Sequence, residues 1–135
     1  GTVNRIIDAF PGNLQDQIRT QLSTTLIGVL AQTLLPKISG GRCAAYETLV
    51  VTPGVANLIR ENKTFRINSA IQTGAKFGMN LMDDSLFNHW VEERVSMEDV
   101  LGKSQDPDSL AKRIANARRA ILEDQEEEEE FEPGQ

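Results

Sequence analysis

Cys43, His89 and two adjacent carboxylate pairs, Asp83-Asp84 and Glu92-Glu93, are the side chains in this sequence whose types could do chemistry. A thiolate is a nucleophile and a metal ligand. The single cysteine has no internal disulfide partner, however, and its apolar surroundings make it read as a small buried hydrophobe. A catalytic or metal-binding histidine works with partners of its own. No Cys or His cluster accompanies His89, which reads as a packing or surface residue beside Trp90. Adjacent carboxylates on a helix point about 100° apart, so neither pair converges on one substrate atom, and both read as solvated helix faces. The sequence contains no Gly-x-Ser-x-Gly elbow and no Gly-x-x-x-x-Gly-Lys-Ser/Thr loop, hence no backbone cradle for nucleotide phosphates. These residues predict a chain that is not an enzyme by itself and binds no metal or cofactor of its own.

The elements that would position these groups are constrained first by composition. The chain of 135 residues suits one domain, long enough to bury roughly two-thirds of its unfolded surface. With 39% hydrophobic but only 5% aromatic residues, its core must be aliphatic. The net charge of −6 is concentrated: residues 123–135 carry eight of the 20 acids and no base, leaving 12 acids against 14 bases before them. The folded part is therefore nearly neutral. The remainder reads as an acidic tail that repels itself and stays disordered. Nothing basic is concentrated enough for a nucleic-acid groove. No apolar run reaches the roughly 18–20 residues of a membrane helix, and no signal peptide is visible, so no direct membrane insertion is expected. The absence of an initiator Met before Gly1 and Thr2 reads as either an expression scar or an internal start.

Val3, Ile6, Ile7 and Phe10 form the stripe of a short amphipathic helix that Pro11-Gly12 ends. Asn13 reads as the next N-cap. Leu14, Ile18, Leu22, Leu26, Leu30 and Leu34 then recur every four residues, which predicts one long helix whose apolar stripe drifts about 40° per step. Residues 34–38 and 42–51, joined by Gly40-Gly41, read as a β-hairpin. Thr52-Pro53 starts another helix, with a hydroxyl cap before a proline at the first helical position. Asn68 reads as a further cap, with Gly74 and Gly78 placed for close packing. Met82, Leu86, Trp90 and Val91 mark a helix over 83–94, and Ser96 with Asp99 caps a short one. Asp106-Pro107 opens the last helix, whose seam is Leu110, Ile114, Ala117 and Ile121. The fold class expected is mainly α with one β-hairpin.

Five ordered stretches carry a more specific signal: RIIDAFP at 5–11, DQIRTQL at 16–22, LAQTLLPK at 30–37, ANLIRE at 56–61 and SAIQTGAKFGM at 69–79. Over about residues 2–113 the chain resembles the C-terminal portion of type IV pilus retraction ATPases, the PilT-type branch of the secretion ATPase superfamily. The resemblance implies that residues 1–122 are the C-terminal part of a RecA-like α/β ATPase domain with a helical extension. It implies a parent protein that forms a homo-hexamer, binds ATP and Mg upstream, and depolymerises pili at the cytoplasmic face of the bacterial inner membrane, against an inner-membrane platform protein.

By the same resemblance, Thr2 and Arg5 match a Thr-x-x-Arg that closes the family's histidine box, near the nucleotide. Asn57, Leu58, Ile59, Arg60 and Glu61 match a motif linked to retraction, with Ala56 standing where the family motif carries its first arginine. This implies that the segment supplies packing and force-transmission surface. Read without the family, Val55, Leu58 and Ile59 pack while Arg60 and Glu61 end a helix. Two alternatives are an independent helical interaction module and part of a pilus-extension or type II secretion ATPase. The latter often carries a four-cysteine zinc site, where this sequence has only Cys43.

Overall fold

The computed structural model describes residues 1–131. It contains helices α1 (Thr2–Asp8) and α2 (Gln15–Thr25), strands β1 (Gly28–Pro36) and β2 (Arg42–Val50), and helices α3 (Pro53–Arg60), α4 (Ile67–Thr73), α5 (Met82–Val91), α6 (Met97–Lys103) and α7 (Pro107–Phe131). The fold class is the expected one, helices around a single hairpin.

The hairpin starts earlier than its sequence suggests. Helix α2 stops at Thr25, and residues 28–36 form a strand where a continued helix is predicted. A four-residue leucine step is compatible with both states, because even spacings also share one face of a strand. Thr24, Thr25, Ile27 and Val29 are β-branched and Gly28 interrupts them, which tips the balance. The inner face of β1 is then Val29, Ala31, Thr33 and Leu35, with Leu35 fully buried. Leu30 and Leu34 fall on the outer face and stay exposed. The strands are antiparallel, with Leu35 opposite Cys43 and Val29 opposite Leu49. Gly40 and Gly41 turn the chain with φ of 100° and 72°, a backbone that glycine adopts without steric cost.

Two apolar clusters sit at the two ends of the hairpin's inner face. Leu35 and Ala45 pack with Met82 and Leu86 of α5, Val95, Val100 of α6, and Leu110 and Ile114 of α7. Leu49 packs with Val3 and Ile7 of α1, Val55 and Ile59 of α3, Ile71 of α4, and Met79. Asn68 lies inside the first turn of α4 and makes no cap. The close approach at Gly74 comes from Met79, whose Sδ would lie 2.8 Å from an added Cβ.

The acidic stretch from residue 123, expected as a disordered tail, falls on helix α7 as far as Phe131. The helix is unbroken through these acids, and the final four residues lie outside the described ones. Glutamate is a good helix former, and extending an existing helix requires no new nucleus. The repulsion of like charges four apart costs only a few tenths of a kcal/mol per pair.

Candidate functional site

The residues singled out by sequence fall on two elements that share one apolar cluster. Helix α3 opens where Thr52 Oγ1 accepts a hydrogen bond from the Val55 N–H at 3.3 Å, with Pro53 at the first helical position. Val55 and Ile59 point inward and are 1% and 0% exposed. Leu58 is only half-buried, while Asn57, Arg60 and Glu61 face solvent. Ile59 is thus the packing anchor of the motif.

The end of α3 is built by Asn62, which takes φ of 58°. That left-handed turn lets the Lys63 N–H reach the Leu58 carbonyl at 2.8 Å and the Asn62 N–H reach the Ile59 carbonyl at 3.3 Å. This is the Schellman arrangement that satisfies helix-terminal carbonyls. It also brings four polar side chains together. Arg60 Nη1 donates to Asn57 Oδ1 at 3.1 Å, and Lys63 Nζ lies 3.1 Å from Glu61 Oε2. The Lys63 hydrogen bond and charge hold the Glu61 carboxyl below its ordinary range, with smaller help from Asn57 and Arg60. The product is a fixed, solvent-facing cluster of two cations, a carboxylate and an amide, backed by core.

Thr2 and Arg5 lie on α1 and are exposed. The helix is seated by Val3 and Ile7 and by Thr64 Oγ1, which donates to Asn4 Oδ1 at 3.0 Å. Among the described residues, no hydrogen bond or ion pair joins Thr2 or Arg5 to Asn57, Arg60 or Glu61. The two sets are linked through the apolar cluster of Val3, Ile7, Val55 and Ile59. Thr2 borders a groove of about 320 Å³ together with Val29, Glu47, Thr64, Phe65 and Asn68. Its lining includes no Lys or Arg, and its charged side chain is Glu47. That chemistry does not fit a nucleotide's phosphates, which need cations and converging N–H groups. Among the described residues no group of three or more His, Cys, Asp or Glu is placed to hold a metal ion.

The structure also shows polar roles that the sequence reading missed. His89 is 9% exposed, and its Nε2 lies 2.8 Å from the Ala44 carbonyl. A carbonyl only accepts, so Nε2 carries the proton. Nδ1 then accepts from Arg94 Nε at 2.9 Å, and Cys43 Sγ lies 3.7 Å away. The ring is fixed as a neutral bridge between β2 and the turn after α5. Ser85 Oγ accepts from the Tyr46 N–H, Asn80 Nδ2 donates to the Tyr46 carbonyl, and the Asn80 backbone pairs with Thr48. The free edge of β2 is thereby closed by residues of and before α5. The signal was present in Met82, Leu86 and His89, which continue one helical face at i, i+4 and i+7. Asp83 and Asp84 are likewise not solvated faces: Asp83 accepts from Ser104 Oγ at 2.7 Å and the Gln105 N–H at 3.1 Å, and Asp84 pairs with Arg113 at 2.6 Å.

Comparison with known proteins adds the family context. No family model matches the chain. It is 40% identical over 109 residues to the type IV pilus retraction ATPase PilT of Pseudomonas aeruginosa, covering 81% of this chain and 32% of that relative. It is 40% identical over 111 residues to a twitching motility protein of Neisseria gonorrhoeae, covering 82% of this chain and 30% of the other. The crystal structure of the pilus retraction motor PilT with bound ADP superposes with a TM-score of 0.72 at 40% identity, over 82% of this chain and 31% of that one. The chain thus spans about a third of the length of these relatives.

Proposed function

We propose that this chain, related to the C-terminal portion of PilT-type pilus retraction ATPases over four-fifths of its length, supplies the packing and force-transmission surface of such a motor. In this reading the parent protein assembles as a hexamer at the cytoplasmic face of the inner membrane. It binds ATP and Mg through residues outside this chain, and it works on pili through a membrane platform protein. The observation that carries the reading is the division of labour on α3. Val55 and Ile59 lock the helix to the core, while Asn57, Arg60, Glu61 and Lys63 present a charged cluster whose side-chain polar contacts, among the described residues, are with one another. A surface that transmits force needs such backing, because a cluster on a mobile loop would yield under load.

The hairpin supports membership in a larger domain. β1 pairs only with β2, so its other edge carries no backbone partner among the described residues. Leu30, Leu34 and Tyr46 are 66%, 43% and 41% exposed on its outer face. Apolar surface of this kind marks a face built to be covered.

The test is a paired measurement of ATPase rate and twitching motility in the intact parent protein. Arg60→Ala with Glu61→Ala is expected to leave assembly and hydrolysis near wild type while impairing retraction. Normal retraction would reduce the cluster to a helix end. Loss of hydrolysis in proportion to motility would place it instead at a subunit interface or nucleotide site.

A further inference from the structure

Helices α1 to α7 sit on one hairpin, and they divide into two bodies. No residue of α5, α6 or α7 belongs to the apolar cluster around Leu49, and none of α1 to α4 belongs to the cluster around Leu35. The helix pairs that pack closely, such as α2 on α3 and α5 on α6, each lie within one body. Among the described residues, no hydrogen bond or ion pair joins residues 1–25 or 53–73 to residues 82–131.

The two bodies hold the hairpin differently. Directional bonds tie it to the second. The Met82 N–H donates to Glu47 Oε1 at 3.1 Å, His89 Nε2 to the Ala44 carbonyl at 2.8 Å, and the Ile38 N–H to the Arg94 carbonyl at 2.8 Å. Such bonds weaken steeply as their angles change, so they fix one orientation. The first body rests on the hairpin through aliphatic contact of Val3, Ile7 and Ile59 with Val29 and Leu49. Hydrophobic contact is non-directional and survives a small slide. The segment joining α4 to α5 contains Gly78 at φ of 85°. Between the bodies, two connected grooves of about 320 Å³ and about 260 Å³ follow the inner face of the hairpin, and Glu47 lines both. Asn68 and Gln72 of α4 line one wall of the second groove, and Gln105, Asp106 and Arg113 line the other.

We infer that this cleft closes by movement of α1 to α4 as one unit over the hairpin, bringing Asn68 and Gln72 against Gln105 and Asp106. Amides donate and accept, so the closed form exchanges water contacts for direct hydrogen bonds with a small net change in free energy. Sliding of packed elements between two arrangements is an established form of conformational change. The α3 cluster rides on the moving unit, so closure displaces it relative to α7 whether or not that cluster transmits force.

Pulsed dipolar EPR on the 135-residue chain in a Cys43→Ala background tests this. Spin labels at Ser69→Cys and Lys112→Cys, exposed sites on α4 and α7, report across the cleft. Gln21→Cys with Ser69→Cys reports within the first body, and Gln32→Cys with Lys112→Cys within the second, all at exposed sites. The pair across the cleft should show two distances, while both control pairs show one narrow distance. Gln72→Lys, in the same groove as the Asp106 carboxylate, should shift the balance toward the shorter distance, and adding Asp106→Asn should cancel that shift. A single narrow distance across the cleft would overturn the inference. So would two distances whose balance ignores Gln72→Lys, or control pairs as broad as the pair across the cleft, since the helices would then not move as one unit.

Discussion

Glu61 and Lys63 face each other because Asn62 takes a left-handed turn that most residues adopt only with strain. The hydrogen bond and charge of Lys63 favour the ionised carboxylate, so Glu61 should titrate below its ordinary range when followed by NMR. Lys63→Met is expected to move it back up, and an unchanged titration would show the pair to be broken in solution. The sign for stability follows from the lowered value. The contribution is present above the unfolded-state pKa and is lost as pH falls through the folded one. Because the pair is exposed, that contribution is small. Stability at this motif rests on its neighbour Ile59. Ile59→Ala should cost about 2–5 kcal/mol in chemical denaturation, and Leu58→Ala less, since Leu58 is only half-buried.

Between residue and fold, the elements separate what the sequence expresses from what it conceals. Local signals were legible: Thr52-Pro53, Ser96 with Asp99, and Asp106-Pro107 each mark a helix start that the structure contains. The first strand was not, because Leu22, Leu26, Leu30 and Leu34 satisfy a helix and a strand alike. Only the β-branched run around Gly28 distinguishes the two. The bridge from α5 to β2 was hidden for a different reason. Which backbone atoms an edge strand leaves open depends on register, and register is a tertiary fact. His89→Phe keeps the ring's bulk but strips the Ala44 carbonyl and Arg94 of their partner, so it should cost about 1–3 kcal/mol in thermal or urea melts. A neutral outcome would mean that water replaces the ring. The acidic half of α7 makes the opposite case, a helix without packing. Truncation after Leu122 should lower the helical circular dichroism signal. In dilute solution at moderate salt it should leave the melting midpoint nearly unchanged, because the removed residues through Glu129 are exposed.

At the scale of the whole molecule the exposed outer face of the hairpin decides whether this chain is a unit or a part. Leu30 and Leu34 continue the apolar stripe that the sequence predicts, and the structure leaves them exposed. Leucines repeated on one face signal burial, and the structure buries only the opposite face. The two observations agree if the outer face is covered by residues beyond the 135 described by this sequence, in keeping with relatives about three times as long. The consequence is a substitution with opposite effects in two contexts. In the isolated chain, Leu30→Lys with Leu34→Lys removes exposed apolar surface and no packing of note. It should change unfolding free energy by under about 0.5 kcal/mol and raise solubility. In the intact protein the same pair would place two ammonium groups in a covered apolar layer. Burial of an unpaired charge costs several kcal/mol, so the protein should lose stability or fail to accumulate. Measuring melting temperature for both forms side by side decides the matter. Equal, small effects in both would show the outer face to be open in the full protein as well. The hairpin would then be the edge of an independent helical module that keeps the local fold of the motor without a covering layer on that face.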